Sequence, residues 1–146
     1  MKIISGGQTG ADQGALKAGV QLGFETGGTA PPNFMTEQGS DLSLKHIYNL
    51  VEGEPDPSTY VKRTIKNVMD SDATVWFGNE NSNGRRLTLR TVSKHRKLSL
   101  INPTSSELRA WVESNDISVL NVAGNRESKS KGVEKMTYEI LIDAFR

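Results

Sequence analysis

IISGGQTGAD, residues Ile3 to Asp12, is a short apolar strand that breaks into glycines and restarts as a helix. Glycines at such a junction let the chain turn sharply and bring bare backbone N–H groups close to a ligand, and the helix that follows aims its positive end at the same point. Backbone of that shape holds phosphate. The spacing falls short of the full G-x-G-x-x-G fingerprint, so alone it is equally the pattern of a tight turn with no ligand.

Working outward, residues 11–22 place Ala11, Ala15, Ala18 and Leu22 at three- and four-residue intervals, which predicts a helix that Gly23 stops. Residues 24–28 read as a short second strand. The stretch TAPPNFMTEQGSDLSL, residues 29–44, has two adjacent prolines and no period, and predicts a long ordered loop with Ala30, Phe34 and Met35 packed. Residues 46–51 resemble a brief strand, EGEPDP at 52–57 a turn, and Ser58 the N-cap of a helix carrying Tyr60, Val61, Ile65, Val68 and Met69.

ATVWF, residues 73–77, has the best buried-strand pattern in the chain and runs into a second glycine and asparagine loop, GNENSNG, at 78–84. A helix over 85–95 and a strand over 98–101 follow. Thr104 or Ser105 can cap the next helix, with Glu107 in its first turn. Residues 117–123 predict the last strand, residues 124–132 a third polar loop, and Val133 to Phe145 a final helix. Alternation of helices with mostly apolar strands indicates an α/β fold with a parallel sheet covered on both faces.

At 146 residues the natural expectation is one domain over 1–146. Eighteen basic against seventeen acidic residues leave a net charge of +1, so no global field draws the chain to nucleic acid or an anionic membrane, and any basic function must be local. There is no cysteine, which excludes disulfides, thiolate metal sites and thiol nucleophiles. The two histidines, His46 and His95, have no sequence partner that marks a metal or catalytic role. No apolar run approaches a membrane span and the N-terminus reads straight into a strand, so a cytoplasmic location is expected.

In an open parallel sheet, ligands gather beyond the carboxyl ends of the strands. Three strands here end in glycine-bearing polar loops that can meet at one edge. The first supplies Gly6, Gly7, Gln8, Thr9, Gly10 and Asp12; the second Gly78, Asn79, Asn81, Ser82 and Gly84; the third Gly124, Asn125, Arg126, Glu127, Ser128 and Lys129. Arg126 can fork onto phosphate oxygens, Ser128 can donate to another, and Asp12 or Glu127 can accept from ribose hydroxyls. The bland alternative for RESKSK is a solvated charge run.

GGQTGAD, TGGTAPPNFMTEQG, SDATVWFGN and LNVAGNRESKSKG, in that order, resemble the family called putative molybdenum carriers, in the circularly permuted branch of the superfamily that includes LOG and DprA-like proteins. The resemblance spans residues 1–138. It implies a Rossmann-like three-layer α/β/α fold with a mostly parallel sheet, a nucleotide-binding site and assembly into a homo-oligomer. Its motif blocks place ligand contacts at Gly6, Gly7, Gln8, Thr9, Gly10 and Asp12, at Gly78, Asn79 and Gly84, and at Gly124, Asn125, Arg126, Glu127 and Ser128. The family pattern has proline at the positions of Asn125 and Lys131, and glycine at that of Asn33.

The leading expectation is therefore a carrier, sensor or sink for a nucleotide-like phosphorylated ligand, such as an ADP-ribose-derived signal. A molybdenum cofactor would have to be held through its pterin and phosphate. A LOG-like hydrolase, cleaving the bond between base and ribose phosphate, would use Glu127 and Arg126, with Asp12 and Glu37 in reserve. Arg86, Arg90, Lys94 and Lys97 fall on one helical stripe that suits single-stranded nucleic acid, although the near-zero net charge favours a solvated face. Trp76 and Trp111 read as core or subunit-contact residues, and Tyr60 and Arg63 as residues able to line the cleft.

Overall fold

The computed structural model describes residues 1–55, 58–79 and 81–146, so the expected turn at 52–57 and loop at 78–84 lie partly outside the described residues. Five parallel strands form the central sheet: β1 (Lys2–Ile4), β2 (Glu25–Gly27), β7 (Ala73–Phe77), β8 (Leu98–Ile101) and β9 (Val119–Gly124). Four two-residue strands, β3 (Thr29–Ala30), β4 (Met35–Thr36), β5 (Gly39–Ser40) and β6 (Val51–Glu52), lie in the excursion after β2. The helices are α1 (Ala11–Gln21), α2 (Ser43–His46), α3 (Thr59–Met69), α4 (Asn83–Lys94), α5 (Ser105–Ser114) and α6 (Val133–Phe145).

The strand order is β2-β1-β9-β7-β8, so the last strand of the chain lies in the middle of the sheet. Moving the β9–α6 unit to the front would turn this order into 3-2-1-4-5, the doubly wound arrangement. The chain is thus a circular permutation of that topology. Its order reverses between β9 and β7, and the ligand crevice of such a sheet lies there.

The two faces of the sheet differ chemically. Ile3, Val75, Phe77, Leu120 and Val122 join Ala15 and Ala18 of α1, Leu108 and Val112 of α5 and Leu141 of α6 in the main core. Period-two alternation turns Thr74, Trp76 and Asn121 to the opposite face, toward α3 and α4. Asn121 and Thr74 are buried there and hydrogen-bond to each other at 3.1 Å. One face is an oily core and the other a partly polar floor.

Residues 29–52, expected as a loop plus a strand, are ordered by small pieces. A second cluster of Leu16, Ala30, Phe34, Leu44 and Leu50 anchors them. Asn67 of α3 grips the entry to the excursion, accepting from the amide of Thr29 at 2.8 Å and donating to its carbonyl at 3.0 Å. The expected strand at 46–51 shortens to β6, because burying Leu44 makes residues 43–46 a helical turn and leaves Ile47 exposed. Asn33 adopts φ 59°, a left-handed conformation that asparagine tolerates, at the position where the family pattern has glycine. Other boundaries follow the sequence closely: Thr104 closes a capping box with Glu107, and Gly84 falls within the first turn of α4.

Gly10 is a position where the fold tolerates little change. Its φ is 84°, and a Cβ there would come within 2.4 Å of the Asn125 carbonyl oxygen and 2.7 Å of the Glu127 nitrogen, both backbone atoms. Gly23 shares the positive φ, 75°, but has open space around it. Gly23→Ala is expected to cost about 1 kcal/mol, the conformational penalty alone, and Gly10→Ala at least about 2 kcal/mol, since contact adds to it. Urea unfolding of the two variants measures the difference, and equal losses would contradict it.

Candidate functional site

The three glycine-bearing loops meet at the carboxyl edge of the sheet. The Ala11 amide donates to the Asn125 carbonyl at 3.2 Å, and the Glu127 amide to the Thr9 hydroxyl at 3.2 Å, which fastens the first loop to the third. The Asn125 amide donates to the Phe77 carbonyl at 3.0 Å, a bond that a proline at this position could not make. Gly78 is held from the far side by the Asn102 side chain, at 3.0 Å through its amide and 2.8 Å through its carbonyl.

Between β9 and β7, on the polar face, lies a cavity of about 710 Å³. Its volume is within the usual range for small-molecule sites. Gly6, Gln8, Asp12, Gly84, Gly124, Asn125 and Arg126 line it, along with Asn81, Ser82 and Lys129. Gly7, Thr9, Gly10, Glu127 and Ser128 do not line it. Gly78 and Asn79 line a separate cleft of about 280 Å³ with Asn102, Pro103 and Gly132. Tyr60 and Arg63 do reach the main cavity. Asn67, Thr88 and Asn121 also line it and were missed from the sequence, although asparagine inside the apolar run ISVLNVA was a signal.

Charge in the cavity departs from that of the chain. Among the described residues its lining carries Arg63, Arg86, Arg126 and Lys129 against one carboxylate, Asp12. Two buried donors there, Arg63 Nε and Trp76 Nε1, have no protein partner. Trp76 is 3% exposed, as a core residue should be, yet it also forms part of the cavity wall.

The amides of the first loop face inward. Gln8 donates to the Asp12 carboxylate at 3.1 Å and Gly6 bonds to it as well, the Gly7 amide goes to the Ser5 hydroxyl at 3.3 Å, and that of Thr9 to the Gln8 side chain at 3.0 Å. Asp12 is therefore the anion that the glycine turn holds. Arg63 Nη1 lies 3.7 Å from it, with the Asp12 side chain buried and that of Arg63 partly so. The guanidinium lies against the bare Cα of Gly6, where a Cβ would meet Nη1 at 1.7 Å, and its carbon sits 5.7 Å from the Tyr60 ring centroid. Burial raises the Asp12 carboxyl from its ordinary 3.8 to about 6, against the opposing pull of Arg63 and the two amides.

Arg126 and Glu127, adjacent in sequence, serve different partners. The Glu127 carboxylate caps α6, accepting from the amides of Gly132 at 2.6 Å and Glu134 at 3.0 Å. Arg126 Nε lies 3.3 Å from the Glu37 carboxylate, at the tip of the β4–β5 hairpin. The basic stripe is also divided. Lys97 lies beyond the end of α4 and its ammonium caps the carbonyls of Met69 and Ser71, which leaves Arg86, Arg90 and Lys94 on the helix. Among the described residues no three His, Asp or Glu side chains group as a metal site, and no helix is long and apolar enough to cross a membrane.

A parallel α/β/α sheet with its final strand at the centre and a crevice beside it defines a circularly permuted Rossmann-like protein. The chain belongs to the cpYpsA family, the circularly permutated YpsA SLOG family, whose profile matches residues 3–145. It is also similar to the crystal structure of a putative molybdenum carrier protein from Syntrophus aciditrophicus, with 32% identity over 99% of this chain and 93% of that one and a TM-score of 0.82. No functionally curated protein matches it.

The raised Asp12 pKa has a thermodynamic consequence. Between about pH 4 and pH 6 the folded chain binds more protons than the unfolded one, so this group makes folding less favourable as pH rises through that window. The stability of the native chain relative to Asp12→Asn is expected to fall by up to about 3 kcal/mol from pH 4 to pH 7. Paired urea titrations measure it, and a pH-independent difference would contradict the assignment.

Proposed function

We propose that residues 1–146 act as a single nucleotide-binding domain, a cytoplasmic carrier, sensor or sink for a phosphorylated nucleotide-like ligand seated in the β9–β7 cavity. The observation that carries this reading is the cavity's excess of cations, four against one carboxylate among the described lining residues, in a chain of net charge +1. Arg86, Arg126 and Lys129 suit phosphate oxygens. Trp76, Ala123 and Leu87 offer apolar wall to a base.

The name of the Syntrophus neighbour points to molybdenum as cargo. Without cysteine, and with no His, Asp or Glu cluster among the described residues, direct ligation of the metal finds no support. An oxyanion, or a cofactor held through pterin and phosphate, fits the donor-rich lining better. Homo-oligomer formation belongs to the same proposal, supported by exposed Leu98 and Ile101 on the edge strand β8.

A hydrolase is the second reading, favoured by one feature: a buried carboxyl with a pKa of about 6 that lines the cavity beside an arginine. The proton-exchanging group would then be Asp12, with Arg63 as its fixed charge partner, since the Glu127 carboxylate is occupied at α6. Free base released from nucleoside monophosphates, and lost in Asp12→Asn, would replace the carrier by an enzyme.

Gently purified protein, denatured and analysed by mass spectrometry, is expected to release a phosphorylated small molecule. Adding that molecule back should change Trp76 fluorescence, and exposed Arg86→Ala should weaken its binding about tenfold or more, the worth of one charge-assisted contact. An empty protein whose fluorescence responds to no nucleotide would defeat the proposal.

A further inference from the structure

Glu37 occupies an arrangement of donors that suits something larger than a carboxylate. One oxygen, Oε1, accepts from the Thr9 hydroxyl at 2.5 Å and the Ser128 amide at 3.2 Å. The other, Oε2, accepts from the Ser128 hydroxyl at 2.5 Å and lies 3.3 Å from Arg126 Nε. Two hydroxyls, one amide and one guanidinium thus converge on a single anionic group, contributed by the first and third loops together. The Thr9 hydroxyl is fixed as a donor to Glu37 because it already accepts from the Glu127 amide. Burial works against the Glu37 charge, yet the bonds from Ser128 and Thr9 and the charge of Arg126 outweigh it and hold the carboxyl below its ordinary range.

The occupant is held where the site opens to water. Glu37 stands at an exposed hairpin turn, and its side chain alone reaches in, 17% exposed against 45% for Arg126. Ion pairs that open to water contribute about 1 kcal/mol or less. The hairpin is anchored elsewhere, through Phe34 and Leu44 in the second apolar cluster, so the Glu37 side chain can swing out while its segment stays in place. Arg126 and Gln8, whose side chain accepts from the Glu37 amide at 2.8 Å, both line the main cavity. A group bound in the cavity therefore adjoins these donors directly.

We propose that Thr9, Arg126 and Ser128 form a subsite for a tetrahedral oxyanion, and that the Glu37 carboxylate holds this subsite until a dianion of the phosphate class displaces it. The inference rests on the reading of the cavity as an anionic-ligand site and adds a set of donors beside it, joined to it through Arg126, that take the oxyanion. A phosphate group or a molybdate ion presents the same tetrahedron of oxygens, with more acceptor positions than a carboxylate and one more negative charge near neutral pH. Removing the internal competitor raises apparent affinity by the reciprocal of the fraction of time the subsite is free.

Isothermal titration with inorganic phosphate, sodium molybdate and ADP as probes, on the native chain, Glu37→Ala and Glu37→Gln, tests the assignment. Both variants are expected to bind at least one probe about tenfold or more tighter than the native chain, and adding Thr9→Val or Ser128→Ala to Glu37→Ala should abolish the gain. ADP gaining most supports a subsite for a nucleotide's phosphate; molybdate gaining most supports a free oxyanion. No gain with any probe in either variant, with circular dichroism unchanged, overturns the subsite. Failure of the nucleotide reading is distinguishable, since ADP then binds neither form while a gain for phosphate or molybdate persists.

Discussion

Backbone against backbone at Gly10 and Asn125 is the contact on which the rest depends. It joins the loop after the first strand to the loop after the last, with Gly10 lying against residues 125–127 and the Ala11 amide bonded to the Asn125 carbonyl. A side chain at position 10 would hold the loops apart. Their union sets Thr9 beside Glu127, places Arg126 at the rim of the cavity and fixes the start of α1. Sheet topology supplies the reason that the contact exists: β1 and β9 are neighbours although they come from opposite ends of the sequence.

The site is a case of polar groups satisfied by the protein's own anions. In a ligand-holding glycine turn, the amides wait for a phosphate. Here those of Gly6 and Gln8 bind Asp12, the hydroxyls of Thr9 and Ser128 bind Glu37, and the exposed end of α6 binds Glu127. At Asp12, which is buried, the pairing removes a cost that unpaired buried amides would impose. What remains for a ligand is the inner cavity, where Arg63 Nε and Trp76 Nε1 are unspent and the cations of α3, α4 and the third loop face inward.

Much of the architecture was legible in the order of residues. The apolar runs at 3–4, 73–77 and 119–122 and the helical spacing of Ala11, Ala15 and Ala18 became the elements they predicted, because buried parallel strands and amphipathic helices write their periods directly into sequence. Strand order was not legible, since alternation alone does not say that the last strand is central. The short pieces between Thr29 and Glu52 escaped as well: two-residue strands have no period to read, and their order comes from contacts of Phe34, Leu44 and Leu50 with a distant helix. At the site, the three loops could be named but not the direction of their donors. Gly6 to Asp12 reads as a phosphate turn until Asp12 is seen folded back into it. Arg63 could be named as a residue able to line the cleft, but its pairing with Asp12 could be found only in space, since what allows it is a glycine 57 positions earlier that has no Cβ to keep it away.

The position of β9 also bears on how the molecule is made. A ribosome delivers β2 beside β1, and later β8 beside β7, long before the strand that joins the two pairs has been synthesised. Without residues 119–124 the β2–β1 and β7–β8 pairs have no strand between them, and the edges they turn toward β9 would be open, the kind of edge to which stray strands add. Strand β9 thus both closes the sheet and walls the cavity. A truncated chain ending before β9 would be no smaller version of this protein; it would lack the seam along which everything else is aligned.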